Sequence, residues 1–353
     1  MVRKRKWLTQ GEFLDLLGAT NLIPGPNSTE MAIHIGHRRA GFPGLLVAGS
    51  SFILPAASIV AVIAWAYVRY GKLPEAHGLL YGIKPVIIAI VAQALWRLGR
   101  SAIKSQWLAF IVIGAIVATA FGMNELLVLL GAGLLSGMSK GLPGQNGSRP
   151  LLALAPVTGS AFGMAQAGTA SIAAGTTKFS LGLLFWFFAK VGAVLFGSGY
   201  VLLAFLKSDL VEHWGWLTES QLLDAISVGQ FTPGPVFTTA TFIGYILGGA
   251  SGAVVATLGI FLPAFIFVAL SGPLVPKLRH SKLAGAVLDG VNAGSLALMA
   301  VVTFELSRSA LIDPTTLFLA ALSAFLLFRY KINSAWLVGG GALAGLLKTM
   351  ASM

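Results

Sequence analysis

Five stretches of the chain, 43–68, 79–96, 181–206, 252–273 and 284–305, are almost continuously apolar. Each runs for roughly 20 residues, the length a helix needs to cross the roughly 30 Å hydrocarbon core of a bilayer. Shorter apolar runs at 107–123, 126–139, 314–328 and 335–347 bring the expected spans to about nine. Inside hydrocarbon every backbone N–H and C=O must be paired within the segment, so these runs predict helices. Of the 353 residues 10% are charged and 56% hydrophobic, against about 25% charged in soluble domains. The expected fold class is an all-α polytopic membrane protein.

The chain has no cysteine, which excludes disulfides, thiolate metal sites and cysteine nucleophiles. Its first residues, MVRKRKWLTQGEFLDLL, are basic, but Glu12 and Asp15 interrupt the apolar core that a signal peptide needs, so no cleaved leader is expected. A net charge of +12 raises nucleic acid as a partner. The basic residues instead fall in short clusters between apolar runs, as the loops on the cytoplasmic side of a membrane protein do, and no nucleic acid is expected.

An internal repeat organises the chain. Leu8, Thr9, Leu14, Asp15, Pro24, Gly25 and Pro26 recur 209 positions later as Leu217, Thr218, Leu223, Asp224, Pro233, Gly234 and Pro235. After a gap of one residue the offset becomes 208 and pairs Gly36 with Gly244, Gly44 with Gly252, and Leu54-Pro55-Ala56 with Leu262-Pro263-Ala264. The register continues through Gly82 and Gly290 to Arg100-Ser101-Ala102 and Arg308-Ser309-Ala310. Paired halves with breaks at matching positions are the sequence sign of a secondary transporter. The halves are expected at 1–140 and 179–353, joined by a linker at 141–178 rich in Gly, Ala, Ser and Thr.

Charge predicts that the halves are oppositely inserted. In the first, basic residues cluster at Arg3, Lys4, Arg5 and Lys6, at His37, Arg38 and Arg39, and at Arg97, Arg100 and Lys104. With these inside, 43–68 leaves the cytoplasm and 79–96 returns. In the second half the dense cluster, Lys277, Arg279, His280 and Lys282, follows the equivalent of the first span, while the counterpart of Arg38-Arg39 is uncharged. Two repeats of inverted topology are therefore expected.

The two basic clusters flanking 7–37 share a side, so that segment must enter the membrane and return, with Pro24-Gly25-Pro26 at its centre. Pro233-Gly234-Pro235 sits equivalently in a segment whose two ends lie outside. Each Pro-Gly-Pro is thus expected at the tip of a re-entrant hairpin, where irregular backbone is buried in protein or lines a watery cavity. A pair of interfacial kinks is the alternative. A tip that opens a helix presents unpaired N–H groups and the positive dipole end, which suits an anion. Hydroxyls at Ser28, Thr29, Thr232, Thr238 and Thr239, and amides at Asn21 and Gln230, supply possible donors to a small oxyanion.

NLIPGPNSTEMAIHIGHRRAG and GSGYVLLAFLKSDLVEHWGWLTESQLLDAISVGQFTPGPV resemble the two signatures of the chromate transporter family, and the likeness runs from Trp7 to about Leu347. The resemblance implies a secondary transporter of the bacterial inner membrane that exports chromate and confers chromate resistance, without a cofactor or bound metal. The motif positions it carries over are Asn21, Pro24, Gly25, Pro26, Gly36, Arg38, Arg39, Gly197, Gly199, Gln230, Pro233, Gly234, Pro235 and Gly244. Chromate or a related oxyanion such as sulfate, and the lipid bilayer, are the implied partners, with a second copy of the chain a further candidate. The family places a helix ending in a Gly-rich turn before each hairpin. Residues 181–200 fit it in the second half, but the first half begins at Met1 without it; a start upstream of Met1 would restore the symmetry of the halves and is the expectation.

Three intramembrane groups stand out. Lys190 lies near the middle of 181–206, where a lysine costs on the order of 3 kcal/mol to insert. It is expected either to serve as counter-charge for a dianion or to pair with Asp224, Asp289 or Glu305. Lys84 is expected to snorkel to a span end. Glu30, His34 and His37 share one face of the helix after the first tip. Proton coupling through Glu30 and His34, metal binding, and a capping box from Asn27 to Glu30 are the open readings. Membrane-embedded hydrolysis is a lower alternative: His34 has no equivalent in the other half and no Gly-x-Ser-x-Gly or His-Glu-x-x-His motif occurs, so no enzyme is expected.

Overall fold

Apolar runs set the helices, and short polar residues open them. The computed structural model describes Trp7, Phe13, Leu16, Thr20 and residues 23–71, 73–141, 178–195, 201–271, 281–330 and 332–351. These are helical, with no strand among the described residues. In order they form α1 (Asn27–Tyr70), α2 (Pro74–Ala102), α3 (Gln106–Ala120), α4 (Glu125–Gly141), α5 (Leu181–Val194), α6 (Leu202–Phe205), α7 (Glu219–Phe231), α8 (Thr239–Ser271), α9 (Lys282–Ala310), α10 (Pro314–Tyr330) and α11 (Ser334–Ala351). α6 runs on into a π-helical segment, Leu206–His213, and a single 3-10 turn, Val236–Thr238, leads into α8. Ser105, Ser180 and Ser281 cap α3, α5 and α9 by accepting from Leu108, Leu183 and Ala284 N–H groups, and Thr218 with Gln221 closes a capping box on α7.

Four described helices, Asn27–Tyr70, Glu75–Ala102, Val236–Ser271 and Leu283–Ala310, are long and apolar enough to cross a membrane. The other apolar helices are shorter, and the expected continuous span 181–206 is broken: α5 ends at Val194, and Leu195 leaves it in extended backbone (φ −72°, ψ 115°). The break has a use, since the Leu195 carbonyl accepts a hydrogen bond from Gly25 N–H at 2.6 Å.

α1 and α8 each reverse direction internally, at Ala40 (φ −145°, ψ 25°) and Gly41 (60°, −143°) and at Gly248 (−140°, 20°) and Gly249 (62°, −150°). These pairs are 208 positions apart and share a conformation. In a straight helix residues eight apart are about 12 Å apart. Here Gly36 meets Gly44, and Gly244 meets Gly252, backbone against backbone, with no room for a Cβ. The same offset carries α2 onto α9, the start of α3 onto α10, and α4 onto α11 to within two residues.

The core is built by exchange between the ends of the chain. α2 packs on α10 and α11, α9 packs on α3 and α4, α1 packs on α8, and α5 packs on α8. Small residues allow the close crossings: Gly82 on α2 lies against Gly341 and Gly345, and Gly290 on α9 lies against Ala132 and Ser136. The outward positions of the helices remain apolar, for example Trp65, Phe110, Trp186, Phe304 and Phe325, as a lipid-facing surface requires. Residues 142–177 of the expected linker 141–178, and the basic residues Lys277, Arg279 and His280, fall outside the described residues.

Candidate functional site

At the first Pro-Gly-Pro, Gly25 turns the chain at φ 140°, and Pro26 in extended backbone hands it to α1. The Pro26 carbonyl accepts from Thr29 N–H at 2.8 Å and Glu30 N–H at 3.1 Å. Helix thus begins at Asn27, which rules out the expected capping box between Asn27 and Glu30: no side chain caps α1. Glu30 instead folds back beneath Gly25, completely buried, and neither carboxylate oxygen has a hydrogen-bond partner. One turn on, His34 is buried with Nε2 unpartnered, and Thr29 Oγ1 is buried without a partner beside them. Ser28 is exposed. Pro24, Gly25, Pro26, Thr29, Glu30 and His34 are therefore brought together, while Asn21 lies outside the described residues. No trio of His, Asp or Glu among the described residues stands close enough to hold a metal ion.

At the second Pro-Gly-Pro, Gly234 has φ 150° and rests on the Ala56 side chain of α1, so a Cβ would collide with it. The first tip is also held by the other half, Gly25 N–H donating to the Leu195 carbonyl, while Ile33 further along α1 shares a buried cluster with Leu45, Ala264 and Val268. Each tip thus touches the other half, the second at the Leu-Pro-Ala stretch of α1 and the first at Leu195. The threonine hydroxyls here are engaged within the turn. Thr232, Thr238 and Thr239 hydroxyls donate to the carbonyls of Val228, Pro235 and Val236 at 2.8, 2.9 and 2.8 Å. A hydroxyl has one proton, and in this fold these three spend it on the turn. Gln230 is half-buried beside them, and Gly197 and Gly199 lie outside the described residues.

The cations have partners other than those expected. Lys190 pairs with Asp209 at 2.5 Å and lies over the Phe187 ring, with 40% of its side chain exposed. Asp224, Asp289 and Glu305 are engaged by Lys84, Lys104 and Lys207. Lys84 does not snorkel: it reaches from α2 to Asp224 on α7 at 3.2 Å and to Ser220 Oγ at 2.7 Å. Tyr67 donates to the other Asp224 oxygen at 2.8 Å. Lys207, nearly fully buried, gathers Glu305 at 2.6 Å, Glu212 at 2.8 Å and Glu219 at 3.7 Å. Arg38 and Arg39 are exposed beside the α1 reversal, and Arg39 stacks over the Trp7 ring.

Two cavities lie along α2. One, of about 520 Å³, is lined by Tyr67, His77, Lys84, Ser220, Asp224 and Lys348 among others; the other, of about 450 Å³, is lined by Gln93, Arg97, Leu327 and Asn333. Lys84 and Arg97 are thirteen residues apart, about 20 Å along the helix axis. Asp313 accepts from two residues that line the first cavity, Lys348 at 2.8 Å and Tyr81 at 2.5 Å, which holds its carboxyl below the usual carboxylate range.

Sequence reading missed the Lys84–Asp224–Tyr67 group and the Lys207 cluster. The match of Asp224 to Asp15 within the repeat, and Lys84 inside an apolar run, were the available signals.

A family model described as chromate transporter matches residues 1–137 and 182–346. The chain is 31% identical over 354 aligned residues to the chromate transport protein of Cupriavidus metallidurans, covering 98% of this chain and 86% of that one. It is 29% identical to the probable chromate transport protein of Synechococcus elongatus, over 96% of this chain and 83% of that one. The uncharacterized transporter YwrA of Bacillus subtilis is 29% identical over 142 residues, 39% of this chain but 80% of its own length. No solved structure matches the chain.

Proposed function

The chain belongs to the chromate transporter family, a family of transporters rather than enzymes, and we propose that it is a secondary carrier that exports chromate across the bacterial inner membrane by alternating access. Two halves of inverted topology, with a re-entrant hairpin in each and about nine spans, are the frame of this reading. Recurrence of the backbone reversals at Ala40-Gly41 and Gly248-Gly249 supports it, as does a relative whose own length corresponds to little more than one half.

The single observation that carries the reading is that each tip is held by the other half, Gly234 resting on Ala56 and Gly25 N–H donating to the Leu195 carbonyl. Irregular backbone at membrane depth is sustained where it is buried in protein or lines a path, and here each hairpin depends on the other half for its seat. The first tip brings Thr29, Glu30 and His34, buried groups without partners, beside Gly25, and it is where we place substrate contact and proton coupling. An unpaired carboxyl there changes local charge by a full unit when it gains or loses a proton, which is what coupling to an anion needs. The cavities at the Lys84 and Arg97 ends of α2 provide approach from each side.

Because α2 packs into α10 and α11 and α9 into α3 and α4, the moving bodies follow packing rather than chain order. Chromate resistance follows from export. Uptake of labelled chromate by everted vesicles tests the proposal: accumulation above vesicles lacking the protein supports it, and no accumulation of chromate or sulfate sinks it. Preference for sulfate would support another tetrahedral oxyanion on the same path.

A further inference from the structure

Lys84 and Asp224 form the one ion pair among the described residues that lines the 520 Å³ cavity at both of its ends, and the transport reading above gives that placement a use. We propose that this cavity is a proton-linked oxyanion station, in which Lys84 holds Asp224 when that carboxylate is ionised and holds a tetrahedral dianion when Asp224 has taken up a proton. The inference rests on the transport reading and adds a second anion site, distinct from the hairpin tips.

The charge balance argues for the exchange. Lys84 and Lys348 line the cavity, and each is matched by one carboxylate, Asp224 at 3.2 Å and Asp313 at 2.8 Å. With both acids ionised, an arriving dianion meets no net positive charge. One proton taken from hydronium and passed to the Asp224 carboxylate leaves a neutral acid and a water, and the Lys84 ammonium stays charged and uncommitted. One O–H bond of hydronium is broken and one O–H bond on Asp224 is made, and no other covalent bond changes. Ser220, which now accepts from Lys84 at 2.7 Å, carries a hydroxyl proton it can then give to the anion.

The surroundings of Asp224 leave this proton a defined destination. Tyr67 from α1 donates to it, and His77 and Lys84 face it from α2. On its own helix Glu219 is engaged by Lys207 and by the Ser309 hydroxyl, and Glu305 of α9 is also held by Lys207. Asp224 is therefore the carboxylate that the cavity water reaches next to a cation. Its side chain is 3% exposed and that of Lys84 19%, and both line the cavity. α7 leads directly to the second Pro-Gly-Pro, which ties occupancy of the station to the hairpin.

The test is equilibrium binding of labelled chromate and labelled sulfate to the purified full-length protein, with chromate transport in proteoliposomes measured alongside. Sulfate keeps both charges between about pH 6 and pH 8, so its pH profile reports the protein, and a linked proton strengthens binding by up to about tenfold per pH unit as pH falls. Asp224→Asn is expected to bind with a flattened pH profile. Lys84→Gln is expected to weaken binding about tenfold or more. Lys84→Arg restores it, and the Lys84→Gln, Asp224→Asn double variant, which leaves no orphaned charge, binds as weakly as Lys84→Gln. Wild-type transport with unaltered binding in Lys84→Gln, or an unchanged pH slope in Asp224→Asn, overturns the station and leaves the transport reading standing. A wild-type protein that neither binds nor moves either anion overturns both.

Discussion

Gly234, at the tip of the second hairpin, lies against the methyl group of Ala56 in α1, 178 positions earlier in the chain. The contact leaves no space for a side chain on Gly234 and none for a larger one at Ala56. Ala56→Leu is expected to displace the tip and lower chromate transport at least severalfold, at an overpacking cost of about 1–3 kcal/mol. Ala56→Gly should transport nearly normally. Transport in proteoliposomes, with thermal unfolding of the same preparations, separates loss of the seat from loss of the fold.

Glu30 is buried against the first tip with both oxygens unpartnered. Glu30→Gln keeps its shape but cannot titrate. Transport driven by a pH gradient is expected to fall roughly tenfold, in the range typical of a coupling free energy, while exchange of chromate across vesicles at equal pH persists. Equal loss in both assays would give Glu30 a packing role instead.

Lys190 and Asp209 are joined at 2.5 Å, with 40% and 16% of their side chains exposed. Partial exposure limits the coupling to about 0.2–1 kcal/mol. A double-mutant cycle with Lys190→Met and Asp209→Asn should find that value in thermal stability. The double variant should transport better than either single one; a Lys190→Met defect that Asp209→Asn does not relieve would point to direct contact with the anion.

The helical architecture was legible because hydrocarbon makes apolar runs commit to helix, and the register 208 apart was legible from Gly36, Leu54-Pro55-Ala56 and Gly82. The partners of charged residues were not. Lys84 resembled a snorkelling residue because its stem lies in an apolar run, and only the fold brings Asp224 of α7 to it. The bonds of the hydroxyls were not legible either: sequence shows Thr232, Thr238 and Thr239 near the tip, and only the fold shows them donating to nearby carbonyls. The break after Val194 was hidden because the residues around it are as apolar as the helix itself.

Asp313 is held below the usual carboxylate range by Lys348 first and Tyr81 second. A depressed folded-state value contributes stability above the ordinary aspartate value of about 4 and loses it as pH falls below that. Thermal unfolding of the wild type in detergent is expected to drop as pH falls from about 4 toward 2, and Asp313→Asn should show a shallower drop. Parallel profiles would remove Asp313 from the acid response.

The most direct test of a path shared by both hairpins is chromate flux in proteoliposomes carrying Gly25→Ala or Gly234→Ala, one at a time. Both glycines hold positive φ, 140° and 150°, with a neighbour where a Cβ would stand. The shared path predicts that either substitution alone reduces flux to near background while the protein remains folded. Flux that survives at the wild-type rate in one of the two would contradict it.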